Sequence, residues 1–205
     1  CYGGAHKLSS DLSREIVRAG GTIIDAAEVA KISMTNGAVG GVELLEGRSL
    51  RSKVVISSLD PHTTFFDLVG KEHLPTALKE TIENWKYDKW SYCTLHVVSK
   101  EQPKYRCVDP WVNESFTTII GFENTDEVIN HWSNVMDGKV SSHFGGHCTC
   151  ESFWDPHLAR MPGGHVSFFQ MHAPYEIQGG WEKQGKELEN AMLDKWRKAA
   201  PNMKR

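Results

Sequence analysis

The sequence predicts an α+β fold, a mixed or antiparallel sheet with helices packed on it, and three observations predict it. Residues 92–97 alternate Cys93, Leu95 and Val97 against Tyr92, Thr94 and His96, the period of a half-buried strand. Residues 28–35 and 38–45 are apolar runs joined by Asn36-Gly37, the strongest short hairpin signal. Residues 5–19 and 181–199 instead repeat apolar side chains every three or four positions. That spacing puts Leu8, Leu12 and Ile16 on one face of the first helix, and Leu188, Met192 and Trp196 on one face of the second.

The remaining elements follow in order. Gly20-Gly21 stops the first helix, and the run 22–25 reads as a strand before the hairpin. A turn at Glu46-Gly47 leads into a strand over 48–59, whose consecutive apolar residues 54–56 predict burial on both faces of a sheet. Asp60-Pro61 then opens a short helix, and 74–85 forms another with Leu78, Ile82 and Trp85 on one stripe. Pro103, Asp109-Pro110 and Asn113 punctuate a loop over 102–115, and 116–122 resumes as a strand. A helix over 126–136 aligns Ile129, Trp132 and Met136 and ends at Asp137-Gly138. Two strands, over 141–153 and 165–172, flank the turn "DPHLARMPGG", and the last helix breaks at Pro201. There are no internal repeats.

Composition narrows the function. With 205 residues, 40% of them apolar and 24% charged, the chain can bury a sizeable core. Seven Trp, eight Phe and five Tyr predict that this core is aromatic-rich. A net charge of -3, with no basic block longer than Lys204-Arg205, leaves no electrostatic footprint for nucleic acid. No apolar run reaches the roughly 18 residues of a membrane span, and no secretory signal pattern is present. Five cysteines, an odd number in scattered positions, do not read as a disulfide framework and fit a reducing compartment, with the cytoplasm expected.

The densest set of chemically capable side chains is "SSHFGGHCTCE", with His143, His147, Cys148 and Cys150. Structural zinc sites pair their ligands in knuckles of wider spacing, whereas Cys148 and Cys150 fall two apart on one face of a strand, which favours packing and no metal. His62, His157, His165 and His172 have no carboxylate or nucleophile at a helical or strand spacing and read as turn or core residues. The glycines of "GAVGGVELLEG" lie between hairpin strands, so no helix N-terminus there can meet a phosphate. Neither a nucleophile elbow nor a P-loop appears.

The ordered series "GGAHKLSSDLSREIVRAGGTIID", "EVAKISMTNGAVGGVELLEG", "VVISSLDPHTT", "WDPHLARMPGGHVSFFQMHAPYEIQGGWEK" and "APNMKR" runs almost the whole length of the chain. It resembles the central region of FAD-dependent oxidoreductases of the phytoene dehydrogenase, or carotenoid desaturase, family. Within that family it is most similar to the branch of pyridine nucleotide-disulphide oxidoreductase domain-containing proteins. The resemblance implies a partial FAD-binding domain over 1–60 and a substrate-binding domain over 61–205, with most of the FAD held by segments outside this sequence. It further implies hydride transfer from a hydrophobic, isoprenoid-like substrate to the flavin, with no strong protein base required. Val29, Gly3, Gly4, Ser57 and Ser58 match cofactor-binding positions; packing in a sheet is the other reading of Val29, Ser57 and Ser58. The family motif usually reads "SNAD" where this chain has "SSLD". Trp85, Tyr92, Trp111, Phe116, Trp132, Phe144, Phe153, Phe168 and Phe169 line an apolar channel on this reading, or form ordinary core. A non-catalytic interaction module without flavin is the alternative. The isolated chain is expected to self-associate, and a parent protein of this kind can contact a membrane peripherally.

Overall fold

A computed structural model describes residues 3–107 and 109–203, so that Cys1 and the Lys204-Arg205 pair lie outside the described residues. The chain forms two compact units, one of Ser13–Tyr87 and one of Cys1–Leu12 with Asp88–Arg205. This division is one of packing; the boundary expected at 60/61 is one of function. Helix α1 (Ala5–Arg18) has the predicted amphipathic pattern, yet it buries none of its residues.

In the unit Ser13–Tyr87, strands β1 (Val29–Thr35), β2 (Ala38–Leu44) and β3 (Ser49–Arg51) form an antiparallel sheet in that order. The hairpin turn is where the sequence put it: Asn36 and Gly37 take φ values of 50° and 77°, the left-handed pair a tight two-residue turn requires. A π-helical stretch, His62–Gly70, packs on β1, and α2 (Thr76–Glu83) follows. The unit's buried apolar side chains are Ile32, Leu44, Val69 and Ile82. Asp60 fixes the entry to the π-helix, its carboxylate accepting from Thr63 N and Oγ1 at 3.1 and 2.6 Å and from Tyr87 Oη at 2.7 Å. These bonds, led by that of the Thr63 side chain, hold its carboxyl well below the usual carboxylate range.

Two expectations fail in this unit. Residues 22–25 form no strand, and the strand expected over 48–59 stops at Arg51. Val54 and Ile56, expected to be buried on both faces, are 70% and 93% exposed. The physical reason is the lack of a partner, because an extended segment becomes a strand only beside another backbone. The last backbone bond to β2 runs from Ser52 N to Gly40 O at 3.0 Å, and the ladder itself ends at Arg51.

The second unit holds strands β4 (Trp90–Ser99), β5 (Thr118–Ile120), β6 (Gly146–Thr149) and β7 (His165–Pro174) in one antiparallel sheet, order β4-β7-β6-β5. Its long ladder runs without a bulge from Trp90 opposite Pro174 to Ser99 opposite His165. Helix α5 (Trp181–Ala199) covers one sheet face with Leu188, Met192 and Trp196, as its spacing predicts. These side chains meet Phe144, Cys148, Phe169 and Met171, flanked by Cys93, Leu95 and Val97 from β4. The core carries the expected aromatics, Phe144, Phe169 and Trp196, beside Met171, Met192 and Met203, while Trp85, Trp111, Trp132 and Trp154 are exposed.

Helix α3 (Thr125–Met136) starts at Asn124, whose Oδ1 accepts from Glu127 N at 3.0 Å while Glu127 Oε2 accepts from Glu123 N at 2.9 Å, a reciprocal cap. Its buried residues are His131 and Val135, and the expected stripe of Ile129, Trp132 and Met136 is exposed. The i, i+4 pair docks on β7, and this turns the longer apolar stripe outward. Helix α4 (Glu151–Trp154) is a single turn after β6. Helices and antiparallel sheets together confirm the α+β class.

Candidate functional site

The face of the four-stranded sheet opposite α5 gathers aromatic, imidazole and amide side chains from three strands. Because alternate residues point to opposite faces, placing Cys93, Leu95 and Val97 on the core puts Trp90, Tyr92, Thr94 and His96 on the other side. The antiparallel register adds His172 opposite Tyr92, Gln170 opposite Thr94 and Phe168 opposite His96, with His147 of β6 opposite Gln170. Trp132 of α3 completes the surface at one end, its ring centroid 5.4 Å from both Trp90 and His172.

His172 is the centre of this face. Its ring lies 5.0 Å from Trp90 and 5.0 Å from Tyr92, so that three aromatic rings surround one imidazole. Burial first, and then the neighbouring His147, push the His172 imidazole below its ordinary value. Phe168 makes a second cluster with His147 at 5.6 Å and His96 at 6.0 Å. Between the two clusters Gln170 Nε2 donates to Thr94 Oγ1 at 2.8 Å. The result is an aromatic floor interspersed with imidazole, amide and hydroxyl groups.

The residues singled out from the sequence fall as follows. Gly3 and Gly4 take φ values of 89° and 82°, which permit the turn before α1. The Gly3 N–H donates to Asp155 Oδ2 at 2.6 Å, and a Cβ on Gly4 would lie 2.7 Å from Leu158 Cδ2. Val29, half-buried, opens β1, which is an edge strand. The half-buried Ser57 shares a hydrogen bond of 2.7 Å with Thr64 and accepts from Leu59 N at 3.2 Å, while Ser58 is exposed. Val29 and Ser57 thus flank the packing of β1 on the π-helix within one unit, and the two glycines belong to the other.

His147 and Cys148 point to opposite faces of β6, and Cys150 lies beyond its end. Among the described residues no three His, Cys, Asp or Glu side chains converge as a metal site. Of the nine aromatics read as channel or core, Tyr92, Trp132 and Phe168 line the open face, Phe144 and Phe169 are core, and Trp85, Trp111, Phe116 and Phe153 are exposed elsewhere. The sequence reading missed Trp90, Gln170 and the role of His172. Strand alternation carried to the second strand would have found the last two.

No family model matches the chain. It is 31% identical over 194 residues to a component of the limonene dehydrogenase of Castellaniella defragrans, an alignment covering 87% of this chain and 35% of the relative. It is 29% identical over 204 residues to pyridine nucleotide-disulfide oxidoreductase domain-containing protein 2 of Mus musculus, covering 94% of this chain and 34% of that protein. The protein of the same name from Rattus norvegicus is 28% identical over 203 residues. The chain therefore spans about a third of the length of these curated relatives. A crystal structure of an oxidoreductase from Methanosarcina mazei superposes with a TM-score of 0.60 at 16% identity, over 98% of this chain and 40% of that one, a likeness of fold. These relatives and this structural neighbour carry the names of dehydrogenases and oxidoreductases.

Proposed function

We propose that this chain is the central part of an FAD-dependent oxidoreductase, and that the open face of its four-stranded sheet receives an apolar, isoprenoid-like substrate. The observation that carries the reading is the cluster of Trp90, Tyr92 and Trp132 around His172. Flat and branched hydrocarbons gain dispersion contacts on such a floor, and the imidazole and the Gln170 amide supply a few polar points to orient them.

The FAD, when bound, supplies the acceptor for the hydride. Of the residues matched to cofactor positions, Val29 on its edge strand and the exposed Ser58 are free to touch a dinucleotide. Ser57 supports its own loop, and Gly3 spends its N–H on Asp155, so these two fit a supporting role. The segment 1–60 then contributes to the FAD-binding domain and 61–205 forms the substrate-binding domain. The exposed apolar side chains of α1, with Ile23, Ile24, Val54 and Ile56, fit this division, because they are the kind of surface a larger FAD-binding domain would cover.

The test is a flavin absorbance spectrum of the polypeptide that contains this chain, followed by anaerobic titration with monoterpene and longer isoprenoid hydrocarbons. Bleaching of the oxidised flavin band is the expected result. Trp90→Ala together with Tyr92→Ala should raise the concentration needed for half-bleaching by about tenfold, as expected for losing one to two buried aromatic contacts. A polypeptide that binds no flavin would overturn the reading in favour of a non-catalytic module.

A further inference from the structure

The four described cysteines are free, and their surroundings differ sharply. Cys148 is 1% exposed in the core, and burial pushes its thiol up to about 12. Burial likewise raises the Cys93 thiol on the same core. Cys107 is exposed, and its Sγ donates to the carbonyls of Asp109 and Tyr105 at 3.0 and 3.5 Å, groups that cannot take the proton. Cys150 is different, because its Sγ lies 3.8 Å from His165 Nδ1.

That pair is held in place from both sides. Ser152 Oγ accepts from Val166 N at 2.8 Å and lies 3.4 Å from His165 Nδ1 and 3.7 Å from Cys150 Sγ. A single hydroxyl therefore ties the turn after β6 to the start of β7, with the thiol and the imidazole on either side of it. Cys150 is half-buried and opens on a cleft that Gln102, Asn113, Ser115 and Thr118 also line, a set of hydrogen-bonding side chains beside the sulfur.

We propose that Cys150 is a modification site, a thiol that His165 activates for exchange with a low-molecular-weight peptide disulfide of the glutathione class. The Cys150 proton passes to His165 Nδ1 as the sulfur attacks one sulfur of the disulfide. A new S–S bond joins Cys150 to one half of the reagent. The S–S bond of the reagent breaks, and the departing thiolate takes the proton back from His165. One disulfide is consumed and one formed, so no further oxidant is needed. This assignment is independent of the redox function proposed above.

The experiment is timed incubation of the purified protein with oxidised glutathione at neutral pH, acid quenching and peptide mapping by mass spectrometry. Fragment spectra separate Cys150 from Cys148. Cys150 should be glutathionylated first, with Cys107 following and Cys93 and Cys148 protected. His165→Gln should slow the Cys150 reaction by about tenfold or more, the loss expected when a positioned base is removed, with the Cys107 rate unchanged as the control for folding. Reaction at Cys107 ahead of or level with Cys150 in the unaltered protein would overturn the proposal without any variant. So would an unchanged Cys150 rate in His165→Gln.

Discussion

The backbone amide of Gly3 and the carboxylate of Asp155, 152 positions apart in the sequence, meet in a hydrogen bond of 2.6 Å. Asp155 also accepts from His157 N at 3.1 Å, so one carboxylate pins both its own turn and the turn that launches α1. The Gly-Gly and "WDPHLA" segments, two separate pieces of the family resemblance, are thus a single piece of structure within one compact unit. Leu158, from the same turn, closes over Gly4.

The glycine pair divides into two different requirements. A methyl at Gly3 meets nothing nearer than Lys7 Cβ at 3.8 Å, so Gly3→Ala incurs only the left-handed backbone penalty, about 1 to 2 kcal/mol. At Gly4 the same penalty is joined by the overlap with Leu158 Cδ2 at 2.7 Å. Gly4→Ala should therefore be the more destabilising of the two in urea unfolding, and Leu158→Ala added to it should recover the steric part alone. Equal losses for the two glycine variants would show that the contact with Leu158 is not tight.

Acid should release this junction. Burial works to raise the Asp155 carboxyl, but the backbone N–H groups of Gly3, His157 and Gly4, with the His157 side chain, outweigh it and leave it below its ordinary 3.8. Since the folded value is the lower one, the stabilisation is complete above the unfolded value and is lost as pH falls through the folded value. Amide hydrogen exchange at Gly3, corrected for its intrinsic pH dependence, should rise only below that range. Asp155→Ala should show the raised exchange at neutral pH as well. Protection at Gly3 that persists in Asp155→Ala would assign the junction to other contacts.

How much of this was legible depended on whether the sequence signal was local. The hairpin at Asn36-Gly37 and the inward stripe of α5 were readable because turn chemistry and helical periodicity are properties of neighbouring residues. The run 54–56 was misread because apolar composition reports a preference for burial, while strand formation needs a partner backbone that this sheet does not provide. The stripe on α3 failed for a related reason. Two apolar-compatible faces competed, and docking on β7 chose the one with His131 and Val135. The open face was half legible. Alternation in β4 gave Tyr92, Thr94 and His96, but the register with β7 that sets His172 among the rings is a long-range fact.

The isolated chain should self-associate. Leu8, Leu12, Ile16 and Val17 of α1 are all exposed, as are Val54 and Ile56, and apolar surface of that kind associates when nothing else covers it. Light scattering should report a dimer or larger species whose mass grows with concentration. Leu12→Lys with Ile16→Lys should shift it toward monomer without loss of helix, since α1 buries none of its residues. A monodisperse monomer at high concentration would remove the prediction.

Acid sensitivity should also have a source under the open face. His131 is 4% exposed, and neither ring nitrogen has a hydrogen-bond partner of good geometry. Burial first, then the neighbouring His172 and Lys195, push its imidazole below the ordinary 6.5, and His172 is depressed in the same direction. Both groups bind a proton less readily in the folded chain than in the unfolded one. Their stabilising contribution is therefore present above about pH 6.5 and is lost as pH falls through the folded values. The urea midpoint should decline from pH 7 to pH 5, before carboxylates such as Asp155 titrate. His131→Leu removes an unsatisfied polar ring from an apolar setting against Phe122, whose ring lies 5.6 Å away, so it should be neutral or stabilising at pH 7 and should flatten the slope between pH 7 and 5. A loss of more than about 1 kcal/mol at pH 7, the worth of a typical net hydrogen bond, would mean that the imidazole has a partner which holds α3 on the sheet.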